Sequence, residues 1–227
     1  VPLIDPTIGT GGLGYAYGSS FVGAAWPHGL AKIGPDTNGP FGVVGFQHYS
    51  GYHADDDRIQ GFSHLHLHGA GLVDYGVLSV MPTRVFDPAE RSVVDYQARF
   101  AKADEHAAAG VYRVTLADGT AVRLVATPHG AHHVYDFGAG AGTLVLDLAK
   151  TLADGVIDDA ELHLDPAGQR ATGRLHHLGD MSGNFGGYDL YFALRTRGAW
   201  ATHALWADGA PTAAVDGSGD VVGVAQR

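Results

Sequence analysis

Apolar and polar residues alternate with a period of two over most of the second half of the chain, the period of a strand with one buried face. Val111-Tyr112-Arg113-Val114-Thr115-Leu116 and Ala121-Val122-Arg123-Leu124-Val125-Ala126 flank Ala117-Asp118-Gly119-Thr120. The Asp-Gly pair predicts a tight hairpin there. Residues 132–137 and 143–148 form two further strand patterns joined by a glycine-rich turn, and 161–164 and 170–175 flank Asp165-Pro166-Ala167-Gly168. Residues 188–195 and 199–206 give another expected pair, connected through Gly198. A strand over 77–80 is expected to end at Pro82, because proline lacks a ladder donor. Only 101–109, rich in alanine with Lys102 and Glu105, has helical propensity; it is short and stopped by Gly110, so a helical turn and strand both stay open. Short strands at regular intervals predict a β-sandwich or barrel.

The first half is patterned differently. Glycines punctuate residues 1–33, which favours irregular loop between short strands. Gly9-Thr10-Gly11-Gly12-Leu13-Gly14 is followed by neither a Lys-Ser/Thr pair nor a helical pattern, so it is not a phosphate loop. Aromatic residues are interleaved, among them Tyr15, Tyr17, Phe21, Trp26, Phe41, Phe46, Tyr49 and Tyr52. They fit either core staples or a surface that stacks on sugar rings.

From Phe62 to His68, histidines recur at every second position (His64, His66 and His68), followed by Gly69, Gly71 and Asp74-Tyr75-Gly76. A strand would set these imidazoles on one face. Outer members of the row would lie ~13 Å apart at ~3.3 Å per residue, too far to share a zinc ion held at ~2 Å. A zinc site sharing at most two neighbouring histidines, a sugar-facing or inter-domain face and plain hydrogen-bonded strand histidines all remain open. Asp55-Asp56-Asp57 lacks the spaced oxygens of a calcium loop and fits a solvated turn.

The 227 residues suffice for one large all-β domain, taken here as 1–227. Hydrophobic residues make up 45% and charged residues 17%, which excludes disorder, and no apolar run reaches the ~20 residues of a membrane helix. A formal charge of −10 with no basic cluster argues against nucleic acid. The absence of cysteine excludes disulfides, thiolate metal sites and a Cys nucleophile. No signal-peptide pattern opens the chain, and strand-like 221–225 just before its end reads as a cut through something larger.

One ordered set of residues resembles a known family. It comprises Ile4-Asp5-Pro6-Thr7-Ile8-Gly9-Thr10-Gly11-Gly12, Gly34-Pro35-Asp36-Thr37, Gly51-Tyr52 with Asp56 and Ile59, Gly61-Phe62-Ser63-His64-Leu65-His66-Leu67, Asp74-Tyr75-Gly76 and Met81-Pro82-Thr83. The set is similar to the N-terminal domain of glycoside hydrolase family 92, calcium-dependent inverting exo-α-mannosidases. That resemblance implies a large twisted antiparallel β-sandwich of the galactose-mutarotase-like supersandwich type, here without the (α/α)6 barrel that follows it in the family. It implies a mannose-containing glycan as the partner, a secreted or extracytoplasmic setting, and calcium bound mainly by the missing barrel. The catalytic acid and base come from that barrel, so no catalytic or metal residue is expected in this chain. Substrate-binding candidates are Phe46, His48, Tyr52, His64, His66 and Asp74. Gly14-Tyr15 and Val22-Gly23-Ala24 depart from the usual family residues, as do Ala54, His68 and Lys102. Self-association through an exposed inter-domain face is expected. The alternatives are a free-standing carbohydrate-binding sandwich and a mutarotase-like epimerase.

Overall fold

The computed structural model describes residues 4–12, 19–39, 48–69, 72–84, 92–152, 155–207, 210–212, 214–218 and 221–226. Strands dominate, and every pairing among them is antiparallel. In chain order they are β1 (Ala24–Ala25), β2 (Lys32–Asn38), β3 (Arg58–Ser63), β4 (Ser79–Thr83), β5 (Ala98–Ala108), β6 (Val111–Leu116), β7 (Ala121–Ala126) and β8 (Ala131–Asp136). There follow β9 (Thr143–Asp147), β10 (Val156–Asp165), β11 (Arg170–Leu178), β12 (Tyr188–Arg195), β13 (Thr202–Ala207), β14 (Ala210–Thr212), β15 (Asp216–Ser218) and β16 (Val221–Gln226). One turn of helix, α1 (Val93–Tyr96), is closed by a capping box between Ser92 and Asp95.

The large sheet runs β14-β13-β16-β9-β4-β3-β5-β6-β7-β8, with β2 also on β3 and β1 on β2; the small one runs β12-β11-β10-β15. β3 is the fork. Its Arg58 and Ile59 pair with Arg99 and Ala98 of β5, whereas Phe62 pairs with Val80 of β4. Beyond this fork the β5–β8 leaf folds back over β1–β4, and Phe62, Met81, Val145 and Trp206 pack with Tyr112, Val114, Leu116, Val122 and Leu124. The small sheet covers the opposite face, where Val80, Leu146 and Leu205 meet Ile157, Leu162, Leu164 and Leu175. Neighbours in sequence thus enter different cores, Val80 against Met81 and Leu146 against Val145, as side-chain alternation requires. The central strands β4 and β9 are buried on both faces over most of their length.

The predicted hairpin is β6–β7, in register from Thr115↔Ala121 to Val111↔Val125. Residues 101–109 are not helical: 101–108 belong to β5, which turns at Gly110 (φ 76°) onto β6. The pairing with β6 outweighs alanine's helical propensity over so short a stretch. Pro82 does not end its strand either, and pairs with Leu144 of β9. β3 contacts β4 only at Val80, so beyond that point the β3 side of β4 needs no ladder donor. β12 and β13 are not a pair, since β12 joins β11 and β13 joins β14 and β16 in the other sheet. Residues 64–68 do not continue β3: it ends at Ser63, and His66 makes only an isolated bridge to Tyr75. The three histidines accordingly do not line one strand face.

Candidate functional site

Where β2, β3 and the segments 48–56 and 64–78 meet, the polar side chains singled out by the sequence turn inward and hold one another. Asp36, on β2, is the hub. One of its oxygens pairs with the Lys150 ammonium, and the other lies 2.9 Å from His66 Nε2. His66 Nδ1 donates to the Lys32 carbonyl at 2.7 Å, and the Ser63 hydroxyl lies 3.0 Å from His66 Nε2. All four side chains are buried. Gly51 (φ 84°) passes so close that a Cβ there would collide with Asp36 Oδ1, so only glycine serves at this position. Burial alone would raise the Asp36 pKa, but Lys150 and His66 outweigh it and hold the carboxyl below its ordinary value. Nearby in sequence to Lys150, Asp147 accepts the Tyr96 hydroxyl and the Ala149 and Lys150 amides. Burial there dominates and raises the Asp147 pKa.

Ser63, His66 and Asp36 are the residue types of a hydrolytic triad, but the connectivity is wrong for one. Both the serine and the aspartate converge on the same ring nitrogen, whereas a relay needs one on each. This cluster is a brace between strands.

A second brace joins the two ends of segment 37–56. Asp56 Oδ2 accepts the Thr37 hydroxyl at 2.6 Å and lies 2.7 Å from His48 Nε2. A third lies under β5, where Glu105 accepts the hydroxyls of Tyr52 and Tyr112, each at 2.7 Å, and Lys102 donates to the Tyr52 oxygen at 2.7 Å. Burial and the adjacent Glu105 push the Tyr52 phenol well above its ordinary pKa, so it stays a donor. Tyr52→Phe is expected to cost about 1–2 kcal/mol, because the Glu105 carboxylate, only 6% exposed, loses a donor, while exposed Lys102 turns to water. Urea unfolding measures this, and an unchanged midpoint would remove the brace from the account.

Asp74 is likewise enclosed. Its carboxylate accepts the amides of Tyr75 (2.9 Å), Met181 (3.1 Å) and Ser182 (2.7 Å) and the Ser182 hydroxyl (3.0 Å). A side chain at Gly179 would overlap it. Its role in the structure is to fix the turn after β11, whose tip carries Phe185, 86% exposed.

Of the residues expected to face sugar, His48, Tyr52, His66 and Asp74 are thus buried with their polar ends engaged, and half-buried His64 donates to the Leu78 carbonyl. Phe46 lies outside the described residues. Lys150, Asp147, Tyr96 and Glu105 were not singled out by the sequence as site residues. Lys150 reaches Asp36 across 114 positions, and no local spacing announces such a pair.

The described residues contain no group of three or more His, Asp or Glu side chains arranged to hold a metal. In the acidic run, Asp56 is committed to Thr37 and His48, and Asp57 to Arg58 and Arg99. No helix among the described residues is long and apolar enough to cross a membrane.

Comparison with known proteins agrees with this architecture. The GH92 α-mannosidase BT3965 from Bacteroides thetaiotaomicron superposes with a TM-score of 0.85 at 22% identity, over 98% of this chain and 31% of that one. The GH92 family glycosyl hydrolase ccman5 gives 0.83 at 24% identity, over 100% and 30%. An uncharacterized secreted glycosidase of Arthroderma benhamiae is 27% identical over 139 residues, 59% of this chain and 17% of that protein. The chain therefore spans under a third of the length of these relatives. The family model for the glycosyl hydrolase family 92 N-terminal domain matches residues 3–226, nearly the whole chain, and the protein belongs to that family.

Proposed function

We propose that this chain is the substrate-binding half of an inverting exo-α-mannosidase that removes terminal α-linked mannose from glycans. The observation that carries the reading is the family match over residues 3–226 in a chain that covers only about 30% of its solved relatives. Inversion needs two carboxyl groups ~6.5–9.5 Å apart on either side of the scissile bond. The buried carboxylates described above are bound up in braces, so the acid and base belong to the rest of the enzyme, as does any calcium. His48, Tyr52, His66 and Asp74 then serve as braces of this half, with their polar ends turned inward and not toward the sugar. Exposed Phe185, Trp26 and Leu30 are surfaces on which the remaining polypeptide, or a second copy of the isolated domain, would pack. The secreted relative supports an extracytoplasmic setting.

The test uses the polypeptide carrying these residues together with the further length of its relatives. Proton NMR of an aryl α-mannoside digest is expected to show β-mannose as the first product. An α-mannose first product, or cleavage of the α-glucoside in preference to the α-mannoside, would overturn the reading.

A further inference from the structure

His64 and His133 meet head to head, with Nε2 atoms 3.1 Å apart and ring planes 20° from parallel. Their surroundings assign every proton. His64 Nδ1 lies 2.5 Å from the Leu78 carbonyl, which only accepts, so His64 carries its proton on Nδ1 and its Nε2 is bare. His133 must then donate through Nε2, which leaves its Nδ1 bare to accept the Tyr135 hydroxyl at 2.5 Å. The chain runs one way, from Tyr135 through His133 and His64 to Leu78, with both rings neutral. Leu78 itself is held at φ 55°, a conformation unfavourable for a branched side chain.

We propose that this pair is an acid-opened latch that ties edge strand β8 to the end of β3 and the start of β4. β8 pairs with β7 alone, and alternate residues of it are exposed, so the bond from His133 is a tie on its inner side additional to the ladder. A proton added to the bare His64 Nε2 places two N–H groups against each other and breaks the chain at its middle, while one added to His133 Nδ1 meets the Tyr135 O–H and breaks it at that end. Facing His64 are His66 and Asp36, the latter paired with Lys150; facing His133 are His132 and Tyr135. Burial drives the His64 pKa down to about 4 and outweighs the Asp36 charge. Burial and His64 hold His133 well below its ordinary value.

The sign follows from linkage. The unfolded rings titrate near pH ~6.5, the folded ones lower, so the stabilisation is complete above ~6.5 and is lost as pH falls toward the folded values. Each ring lowers the folding constant about tenfold per pH unit across that window.

His133→Gln tests the latch, because a glutamine amide can donate to His64 and accept from Tyr135 without titrating. Urea unfolding from pH 7.5 to 4.5 is expected to show the wild-type folding constant falling up to about tenfold more per pH unit below ~6.5 than that of the variant. Hydrogen exchange of amides 131–136, corrected for intrinsic rates, is expected to quicken on acidification in the wild type and much less in the variant. Imidazole nitrogen NMR of the wild type at pH 7.5 is expected to place the protons on His64 Nδ1 and His133 Nε2, and it decides the matter should the variant not fold. Equal pH slopes in the two proteins, or the opposite tautomers, would overturn the proposal.

Discussion

Replacing Lys150 with methionine is expected to lower folding stability by about 3–5 kcal/mol, because it strips the Asp36 carboxylate of its cation in a site closed to water. His66 stays 2.9 Å from the other carboxylate oxygen, but the oxygen that Lys150 held is left without its partner in a side chain only 1% exposed. Asp147 also loses the attraction of the Lys150 charge, which offsets part of its burial. The double variant Lys150→Met with Asp36→Asn is expected to recover most of the loss, since removing both charges removes the uncompensated one. Urea unfolding of the three proteins decides it. A single-variant loss under about 1 kcal/mol, the size of a surface ion pair, would mean that the network is not closed to water as described.

The second large effect is expected at Asp74. Asp74→Ala leaves three amides and a hydroxyl without their acceptor, and about 2–3 kcal/mol is expected to go with them. The damage should be local, with proteolysis and hydrogen exchange rising first over residues 179–187, since the turn carries few other bonds to the sandwich. Asp74→Asn keeps one acceptor oxygen and should fall between. If Asp74 touched sugar instead, the Asn variant of the longer enzyme would show a raised KM with an unchanged Tm; a lowered Tm with an unchanged KM is the expected pattern.

Much of the fold was legible because its signals are local. The β6–β7 hairpin is written in the Asp118-Gly119 pair and the alternation on either side, and β12 spans the same residues as its apolar-polar pattern. Pairing across the sandwich was not legible. β12 and β13 are adjacent in sequence yet belong to different sheets, a choice made by which core each face reaches. The stretch from Ser63 to His68 misled through periodicity alone: the chain leaves the ladder at Ser63, and the histidines separate into two networks, His64 toward His133 and His66 toward Asp36. Among the polar residues quoted for the family resemblance, Asp36, Thr37, Tyr52, Asp56, His64, His66 and Asp74 take part in buried or half-buried bonds. Their partners Lys150, Glu105 and Ser182 lie far along the chain. Motif residues were visible by identity, and their function as braces became visible only when those distant partners were in place.

On the function proposed above, residues 1–227 bind substrate and leave the catalytic acid and base to the rest of the enzyme. Release of nitrophenol from 4-nitrophenyl α-mannoside by the purified chain, with and without added calcium, tests it most directly. No turnover above the buffer rate is the predicted result in either condition, alongside hydrolysis by the longer polypeptide assayed in parallel. Turnover by the chain alone that survives purification and disappears when a carboxylate within these residues is replaced would contradict it.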